Sequence, residues 1–198
     1  MGRILPGEVA WYVTGRFYKT ADGTLRDAGY FLHLQGIGDA ALFSGDPGEG
    51  TAHLTFLAAP FTAKPVNNGD LAMGLDAVGD FSVYLNRRAG ATFDDPASFG
   101  VGEEIARFRR VAVVTGATLG TGSANTPIVG LNVFSARLVQ SRPFELGGGR
   151  YDLRRLMPHG ITQWGTMATT PAAELPGYSL VTPFVGSAIA IGGVLGTI

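Results

Sequence analysis

The sequence predicts an all-β protein, a single-domain antiparallel β-barrel, and three observations lead there. First, apolar and polar residues alternate with period two. The clearest case is residues 71–86, where Leu75, Ala77, Gly79, Phe81, Val83 and Leu85 share one face and Asp76, Val78, Asp80, Ser82, Tyr84 and Asn86 the other. Second, no segment has the pattern of a helix longer than about two turns. Third, the extended segments follow one another through turn residues, as hairpins do, whereas parallel crossovers need helices. A barrel is preferred to a β-sandwich because closure removes the exposed edges.

The elements follow in chain order. Residues 8–19 are rich in aromatic and β-branched side chains. Asp22-Gly23 then supplies a hairpin turn, and residues 25–37 return antiparallel. Residues 39–50 hold Ser-Gly-Asp-Pro-Gly, a loop. In 51–59, Ala52, Leu54, Phe56 and Ala58 share a face. Two prolines and Asn68-Gly69 make 60–70 loop or edge. Asp95-Pro96 starts a short helix, with Asp as cap and Pro in the first turn, that Gly100 and Gly102 stop. Residues 103–115 end as a β-branched strand, and the small polar run 116–127 reads as a loop. Residues 130–141 and 144–156 read as a second hairpin about Gly147-Gly148-Gly149, and 161–170 as a further strand. The meander resembles small calycin-type barrels in architecture alone; no motif accompanies the likeness.

Composition narrows the function classes. A chain of 198 residues suits one large domain. It has no cysteine, which excludes disulfides, thiolate metal sites and thiol nucleophiles and fits a reducing compartment such as the cytoplasm. Fifteen basic and 16 acidic residues leave a net charge of −1, so nucleic acid is not an expected partner. Charged residues are only 16 % of the chain, against about 25 % in ordinary domains. That scarcity suggests a surface partly covered by another subunit, a ligand or a membrane. No charge follows Glu174. The run 175–198 is long enough for a membrane span, but Pro183 and its glycines suit short strands better. The chain therefore divides into a barrel, 1–174, and an uncharged segment, 175–198, packed on the barrel or on a neighbouring copy.

No catalytic motif stands out. The glycine run 116–123 misses the phosphate-loop pattern, since its second glycine falls one place early and the lysine is lacking. His33, His53 and His159 have no metal-ligand spacing, there is no nucleophile elbow, and no cofactor or metal is expected. Asp76 and Asp80, about 13 Å apart along a strand, are too distant to cooperate directly. What remains is polar residues near apolar strand faces. His33 falls with Phe31, Gln35 and Ile37; Arg137 with Leu131, Val133, Ser135 and Val139; Asn132 with Phe134, Ala136 and Leu138. Arg107, Arg109 and Arg110 beside Glu103 and Glu104 read as a solvated ion-pair edge. The candidate catalytic residues are His33, Tyr12 and Arg137. The candidate substrate-binding residues are Trp11, Tyr30, Asn132, Gln163 and Trp164.

Two functions from different classes fit these residues. One is a barrel that binds a small, largely apolar molecule, as a cofactor-independent isomerase or cyclase if it is an enzyme. The other is a non-enzymatic structural or carrier subunit that assembles with copies of itself, for which low charge, abundant glycine and the apolar tail are suited.

Overall fold

The computed structural model describes residues 8–191 except 63, 69–70, 76–78, 122–123 and 173. Its first two strands, β1 (Val9–Lys19) and β2 (Leu25–Leu34), form an antiparallel hairpin. The Asp22 carboxylate accepts from the Thr20 hydroxyl and the Thr24 N–H, and Gly23 takes the positive φ of +86° that closes the turn. Ten more strands follow: β3 (Leu54–Ala58), β4 (Lys64–Asn68), β5 (Leu71–Leu75), β6 (Asp80–Leu85), β7 (Glu103–Thr121), β8 (Ala124–Ser141), β9 (Phe144–Leu146), β10 (Gly149–Tyr151), β11 (Ile161–Met167) and β12 (Leu180–Ala190). A single turn of helix, α1 (Leu153–Leu156), separates β10 from β11.

Eight of these strands close a barrel, in the order β1–β2–β3–β6–β7–β8–β11–β12 and back to β1, with every pairing antiparallel. β4 and β5 lie outside this ring. Beyond Arg109, β7 leaves β6 and pairs instead with β5, whose other neighbour is β4.

In 71–86 the apolar face sorts as expected where it is described, but on the opposite face Ser82 and Asn86 are buried too, Ser82 donating to the Glu104 carboxylate and Asn86 to the Thr55 hydroxyl. Phe81, Val83 and Leu85 are buried, and Asp80 is half-buried and paired with Arg109. The burial of Leu75, Asp76 and Ala77 lies outside the described residues. The expected cap at Asp95 also forms: its side chain accepts from the Ala97 N–H at the head of a 3-10 turn, Pro96–Gly100.

Three elements differ from the sequence pattern. Residues 116–121 and 124–127 continue β7 and β8 instead of forming a loop, because ladder hydrogen bonds come from the backbone and need no large side chain. The triple glycine joins only the short ribbon β9–β10, while β8 pairs with β7 and β11. The uncharged tail is not an appendage as far as Ala190. β12 is a wall strand, bonded to β1 on one side and β11 on the other. Pro183 fits there because its carbonyl faces the β11 side, where the last pair, Met167–Phe184, has already closed.

Two apolar clusters result. The lumen is filled from all sides by rings and aliphatic groups, among them Trp11, Phe31, Phe56, Phe81, Phe108 and Phe134. A second cluster sits outside the wall, where Phe93, Phe99 and Tyr178 cover Tyr18 and Ala28 of the first hairpin. Burial raises the Tyr18 phenol well above its ordinary pKa, and its hydroxyl donates to the Phe93 carbonyl. Close strand approach makes room for the rings: a Cβ on Gly29 would lie 2.1 Å from the Thr14 carbonyl oxygen and 2.7 Å from the Phe56 ring.

Candidate functional site

The lumen holds an ion pair. On β7, Ala106, Phe108 and Arg110 point inward while Arg107, Arg109 and Val111 point out; on β2, Asp27, Gly29 and Phe31 point inward. β2 and β7 are separated around the ring by β3 and β6, so the two charges meet across the interior. Arg110 Nη2 donates to Asp27 Oδ1 at 2.8 Å, and the two side chains are only 6 % and 7 % exposed. The guanidinium carbon lies 4.6 Å from the Phe61 ring centre, 5.3 Å from that of Phe134 and 5.7 Å from that of Phe81. A planar, weakly hydrated cation is suited to such ring faces. Its second terminal nitrogen, Nη1, is buried and has no hydrogen-bond partner among the described residues.

A second polar contact lies nearby. Trp11 Nε1 donates to Gln163 Oε1 at 3.0 Å, and the indole meets Phe31 and Phe108 edge-on with ring centres 5.5 Å apart. Trp11, Gln163, Asp27, Phe81 and Phe134 border one small void. It offers about 10 Å³ to the centre of a water-sized sphere, room for about one water molecule. Asn132 and Thr182 are also buried on inward faces of the wall.

The eight residues singled out from sequence separate into two sets. Trp11, Asn132 and Gln163 face the lumen. Tyr12, His33, Arg137 and Trp164 are on the outer surface, and Tyr30 lies among the rings of the outer cluster, next to Phe43 and Phe93. Burial raises the Tyr30 phenol.

His33 corrects the sequence pattern most sharply. Alternation puts it on the Phe31 face, but the β1–β2 register shifts between Tyr12 and Val13, so that Tyr12 opposes His33 while Val13 opposes Phe31. The bulge reverses the side on which every later residue of β2 points. His33 therefore leans outward against the Tyr12 ring, with Nδ1 2.9 Å from Asp39 Oδ1. Arg137 stands opposite Arg109 on the outside and does not meet the lumen set.

Asp27 and Arg110 are the residues that sequence reasoning missed. Arg110 is the exception among its neighbours. Arg107 pairs with Glu104 and Arg109 with Asp80 at the surface, as a solvated edge should, and the Arg107 bonds hold the Glu104 carboxyl below its ordinary pKa. Arg110 follows Ala106 and Phe108 inward instead. That period was legible, as was Asp27 with Gly29 and Phe31 on β2. Among the described residues, no three His, Cys, Asp or Glu side chains cluster as metal ligands would, and no helix is long and apolar enough to cross a membrane. Comparison with protein-family models, with curated proteins and with solved structures gives no match.

Proposed function

We propose that the barrel lumen binds a small, largely apolar molecule through one oxygen acceptor, and that the protein rearranges it without a cofactor, as an isomerase or cyclase. The observation that carries this reading is the buried Arg110, held by Asp27 through Nη2 and keeping the Nη1 donors unspent. Replacing a buried ion pair by well-packed apolar residues is often neutral or stabilising, so stability alone is a weak reason to keep one in a core of phenylalanines. A site that must hold an oxygen in an apolar cavity is a better reason.

The chemistry follows from the residue types. A guanidinium nitrogen carries donors and no acceptor, so Nη1 can only donate. In a low-dielectric lumen, it would stabilise negative charge growing on a carbonyl oxygen as the ligand rearranges. Asp27 fixes the guanidinium plane, and the ring walls confine the ligand to conformers that can react. Isomerisation and cyclisation move bonds within one molecule and need no second reactant. Among the described residues, the void beside Trp11, Asp27 and Gln163 admits about one water, so a ligand there has to displace a ring. Phe61 is the candidate: it is half-exposed and covers the guanidinium. Its backbone is pinned by hydrogen bonds in both directions to Leu25, so the movement that admits a ligand would be one of the side chain alone.

The test is a thermal-shift screen of small unsaturated ketones and carboxylic acids against the wild type and the paired variant Asp27→Leu/Arg110→Met, followed by mass spectrometry of the compounds that bind. The reading expects compounds that raise the wild-type melting temperature, not that of the variant, and that yield products of unchanged mass. Binding without conversion would reduce the protein to a carrier. Shifts that persist in the variant would remove Arg110 from the site.

A further inference from the structure

We infer that the outer face of β8, β11, β12 and β1 is a docking surface for a second copy of this chain. The sequence contains three long stretches without Asp, Glu, Lys or Arg: 111–136, 160–173 and 175–198. They are far apart in the chain, yet the fold sets their strands side by side, β8 against β11 and β11 against β12. The outward residues there form a register row, Val133–Trp164–Ser187–Tyr12, with Val185 and Ile189 to either side on β12. Trp164 is 57 % exposed, Val185 48 %, Ile189 46 % and Tyr12 43 %. The residues between them are Thr and Ser.

Size and chemistry favour a second copy as the occupant. Four strands at about 4.8 Å and seven residues at about 3.3 Å give a face of roughly 19 by 23 Å, on the order of 400 Å² in projection. Its accessible area is larger, because side chains stand out from it. That lies within the range of the largest patches monomers leave bare, about 300–600 Å², and makes up much of the roughly 800 Å² each partner buries in a stable complex. Between Arg137 at one end and Arg16 at the other, the face carries no charge with which to select an acidic or basic partner, whereas interfaces between identical subunits are the more apolar kind. The row is also self-complementary. A two-fold axis lying along β12 at Ser187 would seat Trp164 of each copy on Tyr12 of the other, and place the small Ser187 pair at the centre. Aromatic side chains packed near the middle of an interface are where binding energy concentrates.

Sedimentation equilibrium from about 1 to 100 μM tests this, with circular dichroism to confirm folding. The wild type should weigh twice the 20.7 kDa chain. Trp164→Glu should weaken the association roughly 30-fold or more. The cysteine-free chain allows an independent arm. Ser187→Cys should oxidise to a covalent dimer on a non-reducing gel, while Ser44→Cys, on an exposed loop, should not. A wild type of single-chain mass throughout would overturn the inference. So would a dimer that keeps its affinity in Trp164→Glu and does not cross-link through Ser187→Cys. Flotation of single-chain protein with phosphatidylcholine vesicles would assign the face to a lipid surface instead.

Discussion

Strand β11 carries two chemistries on alternate residues. Ile161, Gln163 and Gly165 face the lumen, where rings fill the space and Gln163 is bonded to Trp11; Thr162, Trp164 and Thr166 face outward, with a bare indole between two threonines. Each side holds what is costly there. The lumen holds a charged pair in an apolar core, and the outer wall exposes apolar groups without charge to solvate them. Neither is needed to close a barrel. The interior closes through its aromatic packing, and the wall closes through backbone bonds. The difference therefore points to two separate uses for one sheet, ligand contact inside and subunit contact outside.

The largest effect should come from splitting the interior pair. Arg110→Met leaves Asp27 buried without its counter-charge and should cost about 3–5 kcal/mol in urea unfolding, whereas Asp27→Leu/Arg110→Met should be near neutral or more stable than the wild type. If both cost the same, the pair is structural and the contrast between the two faces weakens. Phe81→Ala should also cost about 3–5 kcal/mol, since its ring stacks on Phe108 with centres 5.0 Å apart and lies against Arg110. A loss below about 1 kcal/mol would mean that the lumen collapses freely around the gap.

Smaller effects sharpen the comparison. Gln163→Leu leaves the Trp11 N–H unpaired in the lumen and should cost about 1–3 kcal/mol. Arg109→Ala, on the outer side of β7, breaks a solvent-screened surface pair with Asp80 and should shift the urea midpoint less than Gln163→Leu does. Acid should act through the outer surface as well. The Arg107 bonds depress the Glu104 pKa in the folded state, so the stability they contribute is present above the unfolded pKa, near 4.5, and is lost as pH falls through the lower folded value. Glu104→Gln should reduce that acid-side slope, measured as urea midpoints between about pH 5 and 3.

Most of the architecture was legible from period-two alternation, because burial selects side chains residue by residue. The inward faces of β6 and β8 follow directly from Phe81, Val83 and Leu85 and from Asn132, Phe134, Ala136 and Leu138. Legibility failed where side chains do not carry the signal. The bulge that turns His33 outward is a backbone event with no residue signature, and the strand nature of 116–121 rests on ladder pairing among small residues. Arg110 was lost for another reason. Three arginines in four positions look like one solvated group, yet a strand sends Arg107 and Arg109 to one side and Arg110 to the other. Nothing local to either strand tells that Asp27, 83 positions away, supplies the counter-charge.

The claim at the centre is that the lumen keeps its ion pair for a ligand. Calorimetric titration of the best compound from the screen into the wild type and into Asp27→Leu/Arg110→Met tests it most directly. A charge-assisted hydrogen bond of about 1.5–3 kcal/mol predicts affinity roughly 10- to 150-fold lower in the variant, with folding intact. Equal affinity in the two proteins would contradict the account.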